Sequence, residues 1–219
     1  MPARQGYLDE LEKLKNDVIK MGSVLEESIN NVVTALKKVD GKLAEDIIAS
    51  DDKIDDYERK IEKACIALIA KQQPVASDLR RVTSIMRIIA DVERIADHCA
   101  DISEYIIKLS NEEEIVMPKY VIEMVYAMKQ MVVDTIESFV NEDHDQAERV
   151  IAADDIVDDY FEKIMDELCI AMKHNPDKIR QYSEYLMIVK YLERMADHAT
   201  NIAEWIEFII TGELEIGKQ

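Results

Sequence analysis

The sequence predicts an all-α protein, six helices arranged as two repeated antiparallel three-helix bundles. Three observations carry this. Glycine and proline are scarce, 5 and 4 in 219 residues, so little interrupts long helices. Apolar residues return in steps of three and four along most of the chain, the period of one helix face. The chain also repeats itself. Glu93-Arg94-Ile95-Ala96-Asp97-His98 returns 100 residues later as Glu193-Arg194-Met195-Ala196-Asp197-His198. Ile48-Ala49-Ser50-Asp51-Asp52 with Asp55-Asp56-Tyr57 returns as Ile151-Ala152-Ala153-Asp154-Asp155 with Asp158-Asp159-Tyr160.

The first helix carries Leu8, Leu11, Leu14, Val18, Met21, Leu25, Ile29, Val32 and Leu36 on one stripe, up to the turn signal Asp40-Gly41. The second runs through Leu43, Ile47, Ile54, Tyr57, Ile61, Ala64 and Leu68. It stops near Gln73-Pro74, because proline disfavours helix in the residue before it. Ser77 is the expected N-cap of the third, which carries Leu79, Val82, Ile85, Ile89, Val92, Ala96, Cys99, Ile102 and Ile106. Asn111-Glu112-Glu113-Glu114 and Pro118 loosen the chain and mark the linker, placing one repeat at 1–112 and the other at 113–219. The plan then recurs. Val121, Met124, Met128, Met131, Thr135 and Phe139 form helix four, and 141–145 is a polar turn. Helix five reaches about His174, Asn175-Pro176 breaks it, and helix six ends at Gly212. The short linker between amphipathic helices predicts two bundles that share an interface. The methionines on the apolar stripes read as core filler.

Composition narrows the function. A net charge of −19 excludes a nucleic-acid partner, since phosphate backbones need clustered Lys and Arg. The N-terminal residues run straight into charged amphipathic sequence, with no apolar core of a secretory signal. The longest apolar run, Cys65 to Ala70, is far shorter than the ~20 residues of a membrane span. The expectation is a cytoplasmic protein with no membrane insertion. Three cysteines, Cys65, Cys99 and Cys169, show neither a disulfide framework nor zinc spacing and read as small core residues. There is no Gly-rich phosphate loop, nucleophile elbow or nucleophile–base pair, so no enzyme is indicated.

The repeated motifs place carboxylates four apart, on one helix face, where like charges repel by a few tenths of a kcal/mol per pair. Distances from the interhelical turns show why they recur. Asp51 and Asp55 lie 23 and 19 residues before Pro74, while Glu93 and Asp97 lie 19 and 23 after it. Asp154 and Asp158 lie 22 and 18 before Pro176, with Glu193 and Asp197 17 and 21 after it. In an antiparallel hairpin, equidistant residues share a level. Asp51 should therefore face Asp97, Asp55 should face Glu93, and each hairpin should gather four carboxylates. Asp52, Asp56, Asp155 and Asp159 point further towards solvent. Four carboxylates at one level need either protons or a cation among them. All-oxygen ligation suits magnesium, calcium, manganese or iron. The competing reading is a row of surface acids paired with Arg94, Arg194 and nearby lysines. His98 and His198 are turned ~100° from Asp97 and Asp197, which favours solvent-facing or helix-packing roles over coordination. Asp101 is matched by Asn201, so that position contributes unequally. The Glu-x-x-His pairing of di-iron bundles is missing, which counts against oxidase chemistry.

Further residues complete a family pattern: Met21-Gly22, Ala64-Cys65-Ile66, Ile69-Ala70-Lys71-Gln72-Gln73-Pro74 and Ala76-Ser77-Asp78-Leu79-Arg80. With both Glu-Arg-x-Ala-Asp segments and their upstream Asp-x-x-x-Asp, the chain resembles the PhoU family of phosphate-transport regulators over essentially its full length. It departs from the pattern at 175–181, where the second copy lacks Ser-Asp-Leu-Arg. The resemblance implies a pair of spectrin-repeat-like bundles with metal at Asp51, Asp55, Glu93 and Asp97 and at Asp154, Asp158, Glu193 and Asp197. Iron is expected first and multinuclear sites are allowed, with zinc, manganese, calcium or magnesium as alternatives. It also implies a cytoplasmic protein at the inner face of the membrane. There it would couple a phosphate ABC transporter ATPase subunit to a sensor histidine kinase and hold the phosphate-starvation response off when phosphate is plentiful. A homodimer stays open. The alternative function is a metal-dependent phosphate-handling enzyme or metallochaperone using the same clusters, and a third is a helical adaptor without metal.

Overall fold

The computed structural model describes residues 2–213. Its elements are α1 (Pro2–Lys38), α2 (Gly41–Ala49), α3 (Asp52–Gln72), α4 (Ser77–Ser110), α5 (Val121–Asn141), α6 (His144–His174), a 3₁₀ turn (Pro176–Lys178) and α7 (Ile179–Thr211). The copies correspond as α1 to α5, α2–α3 to α6, and α4 to α7. Helix α3 packs on α1 and α4 while α6 packs on α5 and α7, so these two lie on the outer flanks. Helices α4 and α7 make the most extensive contact in the molecule and form the seam between the copies.

The apolar stripes become the core. Met21, Leu25, Ile29 and Leu36 of α1 and Met124, Met128 and Met131 of α5 are buried, confirming methionine as core filler. Each fully buried side chain of this size contributes about 1.5–3 kcal/mol. The stripe frays at its start, where Leu8 is exposed. Gly22 is a close-approach residue: a Cβ there would sit 2.9 Å from Cδ1 of Ile136, so the absence of a side chain lets α1 and α5 meet.

Helix starts follow capping chemistry. Asp40 caps α2 by accepting from Leu43 N, and Asp143 caps α6 by accepting from Gln146 N. Ser77, the expected cap of α4, is instead its first residue. Ala76, at φ +42°, takes the cap position without a side-chain bond, and backbone bonds from Asp78 N to Val75 O and from Arg80 N to Ala76 O close the turn. Cys65 and Cys99 are core residues with thiols pushed up to about 12 by burial, but Cys169 is exposed. Leu168 takes the core position there, which turns the next residue outwards.

The single second helix expected in the first copy is broken. Ser50 N bonds Ile47 O, Asp51 N bonds Ile48 O, Lys53 N bonds Ser50 O and Ile54 N bonds Asp51 O, all spaced by three residues instead of four. The Ser50 hydroxyl also donates to Ile47 O at 2.9 Å, a local bond that competes with regular helix. Such tight turns advance ~120° per residue in place of ~100°. Asp51 sits in this break, whereas its counterpart Asp154 lies inside the continuous α6.

Candidate metal centre

In the first copy the four predicted carboxylates come together as the hairpin register requires. Asp55, on the first turn of α3, and Glu93 and Asp97, one turn apart on α4, bring one oxygen each to within 4.8 Å of one another. Asp51 completes the level. Its carboxyl is pushed up to about 6 by partial burial and then by the charges of Asp97, Asp55, Asp52 and Asp101. Glu93 is pushed up to about 7 by partial burial and by Asp97, with Arg94 pulling the other way and Glu58 and Asp55 adding to the rise. Glu93 is therefore near its midpoint of titration at neutral pH. Glu58 is itself raised by burial, Glu62 and Asp55.

The available counter-charges lie at the surface. Arg94 contacts Asp97 at 2.9 Å and Glu93 at 3.4 Å, and Arg59 contacts Asp55 at 3.3 Å and Asp56 at 2.8 Å. Both arginines are more than half exposed, and such pairs contribute about 0–1 kcal/mol. The expected surface pairing thus exists at Arg94, yet Asp51 and Glu93 stay raised in its presence.

The second copy repeats the residues but not the geometry. Asp154 is 4% exposed, while Asp158 and Asp197 lie at the surface. Glu193 is raised by partial burial and Asp158, and Asp197 by partial burial, Glu193 and Asp158, so the cluster does share one field. Asp52, Asp56, Asp155 and Asp159 are exposed, as their register implies.

Both sets offer only carboxylate oxygen, the donor chemistry of hard divalent and trivalent ions. The first set fits a cation the more closely, because its oxygens already converge and two of its acids are pushed up by burial and by neighbouring negative charge. Asp55, Glu93 and Asp97 would hold an ion there, with Asp51 at its edge. In the second set Asp154, Asp158, Glu193 and Asp197 would have to close further. The sequence reading missed Glu58, although it stands three residues after Asp55 on the same face.

The histidines line the seam. His98 is buried with its Nδ1 3.0 Å from Asp101, and its ring lies 5.2 Å from that of Tyr191 and 5.6 Å from that of His198. His198 Nδ1 is 2.8 Å from Asp91, across the copies. Burial pulls the His98 imidazole below its ordinary value. At the start of α4, Arg80 Nη2 donates to Ile209 O at 3.2 Å. Helix packing is the role these histidines play here.

A PhoU domain is matched twice along the chain, over residues 18–106 and 121–206. The chain belongs to the PhoU family. It is similar to the phosphate-specific transport system accessory protein PhoU homolog of Clostridium acetobutylicum, 37% identical over 96% of this chain and 96% of that protein. It is 33% identical to PhoU homolog 1 of Thermotoga maritima over 93% of this chain and 88% of that one. The crystal structure of PhoU from Pseudomonas aeruginosa superposes with a TM-score of 0.91 at 31% identity, covering 94% of this chain and all of that chain. The phosphate transport system regulatory protein PhoU from Streptococcus pneumoniae gives 0.88 at 30% identity, over 95% and 98%. The PhoU architecture of two all-α repeats is therefore shared along both halves.

Proposed function

We propose that this chain is a metal-binding accessory protein of phosphate-specific transport. In this reading it regulates by docking, coupling a phosphate ABC transporter ATPase subunit to a sensor histidine kinase and restraining the phosphate-starvation response when phosphate suffices. Its family supports the transport association, and its relatives are accessory and regulatory proteins of phosphate transport. Among the described residues no helix is long and apolar enough to cross a membrane, which suits a cytoplasmic protein held at the membrane by its partners.

One observation carries the metal part. Asp51 and Glu93 hold raised carboxyl groups beside Asp55 and Asp97, a cluster too negative for its surroundings at neutral pH. A cation relieves this, with iron as the first candidate. Elemental analysis of protein purified without chelators tests it directly. Stoichiometric iron, or another ion, that falls in Glu93→Gln/Glu193→Gln supports the reading, and metal-free protein whose thermal stability ignores EDTA overturns it. Docking is tested by affinity capture at high and low phosphate. Turnover of a phosphorylated substrate, abolished in Glu93→Ala/Glu193→Ala, would favour the enzymatic alternative.

A further inference from the structure

We infer that His144, Glu148 and Glu207 form a separate transition-metal site, which takes a borderline divalent cation of the zinc type and has no counterpart in the first copy. His144 opens α6, Glu148 follows one turn later on the same face, and Glu207 comes from α7. The hairpin register brings them level: His144 lies 32 residues before Pro176 and Glu207 lies 31 after it. One donor atom from each falls within 4.8 Å of the others.

The ring nitrogens point to a ligand. Nδ1 of His144 is shut off from solvent and makes no hydrogen bond, because Glu207 Oε1, at 3.4 Å, lies off the bonding direction. On the other side Nε2 is 3.7 Å from Glu148 Oε1. A ring nitrogen buried without a hydrogen bond is uncommon in native proteins and calls for an explanation. The 3.4 Å between Nδ1 and Glu207 Oε1 resembles the spacing of neighbouring ligands around one cation, about 3.0–3.5 Å when each bond is about 2.0–2.2 Å, and Glu148 would turn its carboxylate from Nε2 towards the same ion. Nδ1 would serve as the nitrogen ligand and the two glutamates as oxygen ligands. The solvent side leaves room for water, since the His144 and Glu148 side chains are 41% and 63% exposed.

The donor set separates this site from the acidic clusters. An imidazole nitrogen selects zinc-like ions over magnesium or calcium, whereas the clusters offer oxygen alone. The site also lies ten residues towards the start of α6 from Asp154, ~15 Å along the helix. The partial positive charge at the start of α6 opposes a cation by about half an elementary charge, less than the two glutamates supply. In the first copy the matching positions are Gly41, Glu45 and Ile107, which cannot form such a set.

Nuclear magnetic resonance of the imidazoles tests this on the metal-free full chain, which has 4 histidines. Zinc(II) added at pH 7 is expected to shift the His144 ring signals, saturating at one equivalent for this site, while magnesium(II) at the same concentration leaves them in place. The shift should persist in Glu93→Gln/Glu193→Gln, which separates this site from the clusters. Glu207→Gln should weaken it at least by the 10- to 100-fold typical of outer-sphere changes at metal sites, with circular dichroism confirming that the helices remain. His144 signals that ignore saturating zinc(II), or a Glu207→Gln protein with unchanged affinity, would overturn the inference.

Discussion

The two acidic clusters share their motif and differ in their setting. In the first, Asp51 lies in a helix break, three oxygens converge, and Glu58 and Asp101 bring further negative charge. In the second, Asp154 is buried in a continuous helix, two members face solvent, and the extra positions are Phe161 and Asn201. The same short motif thus yields one crowded, preorganised cluster and one open cluster. Preorganisation concentrates repulsion in the cluster and would lower the reorganisation needed for a cation to bind.

The largest expected difference is in metal affinity. Glu93→Gln should cost the first cluster on the order of 100-fold and Glu193→Gln the second about tenfold, the range seen when metal surroundings are altered. Calorimetric titration of each variant checks this, and equal losses would break the comparison. Next comes stability. A free ion at 100 times its dissociation constant contributes about 2.7 kcal/mol to the folded state. EDTA should therefore lower the melting temperature, and more of that drop should vanish in Glu93→Gln than in Glu193→Gln.

The pH response of metal-free protein is the third difference. Asp51 and Glu93 titrate higher folded than unfolded, so their contribution to stability is complete below the ordinary carboxylate range. It is lost as pH rises through about 6 and about 7. Thermal melts from pH 4.5 to 7.5 should fall along this window, and Glu93→Gln should flatten the fall more than Glu193→Gln. Metal affinity should rise over the same window as protons leave the ligands. A smaller effect is expected from grafting. Phe161→Glu with Asn201→Asp should tighten metal at the second cluster by less than about tenfold, read by titration in a Glu93→Gln background. The smallest comes from Ser50→Ala, which removes a hydrogen bond worth about 0.5–1.5 kcal/mol. It should move the Glu93 titration, followed by carbon-13 resonance, towards that of Glu193.

Much of this architecture was legible in the sequence because two periods carry it, the helical repeat of the apolar stripes and the 100-residue repeat of the motifs. The hairpin register is legible because proline and asparagine-proline fix the turns. The break at Ser50 was not legible from periodicity, since one polar residue there leaves the apolar stripe intact. Its one visible signal is that the second copy has Ala153, with no hydroxyl to bond back. Burial at the acidic motifs also escaped the pattern: Asp158 and Asp197 occupy the same motif positions as Asp55 and Asp97 and yet lie at the surface. The His144 group was hidden because Glu207 is far from His144 and Glu148 in sequence and the three belong to no repeated motif.

The seam between α4 and α7 bears on the history of the molecule. Position 91 meets 198, 98 meets 191 and 80 meets 209, all on one antiparallel register. Equivalent places therefore face each other in exchange. The first copy offers Asp91 to the imidazole opposite, and the second offers Tyr191. A duplicated unit begins with two identical halves, either of which could pair with itself. Here the shared surface has diverged until each half carries what the other needs, so the chain behaves as a fused heterodimer and its halves are no longer interchangeable.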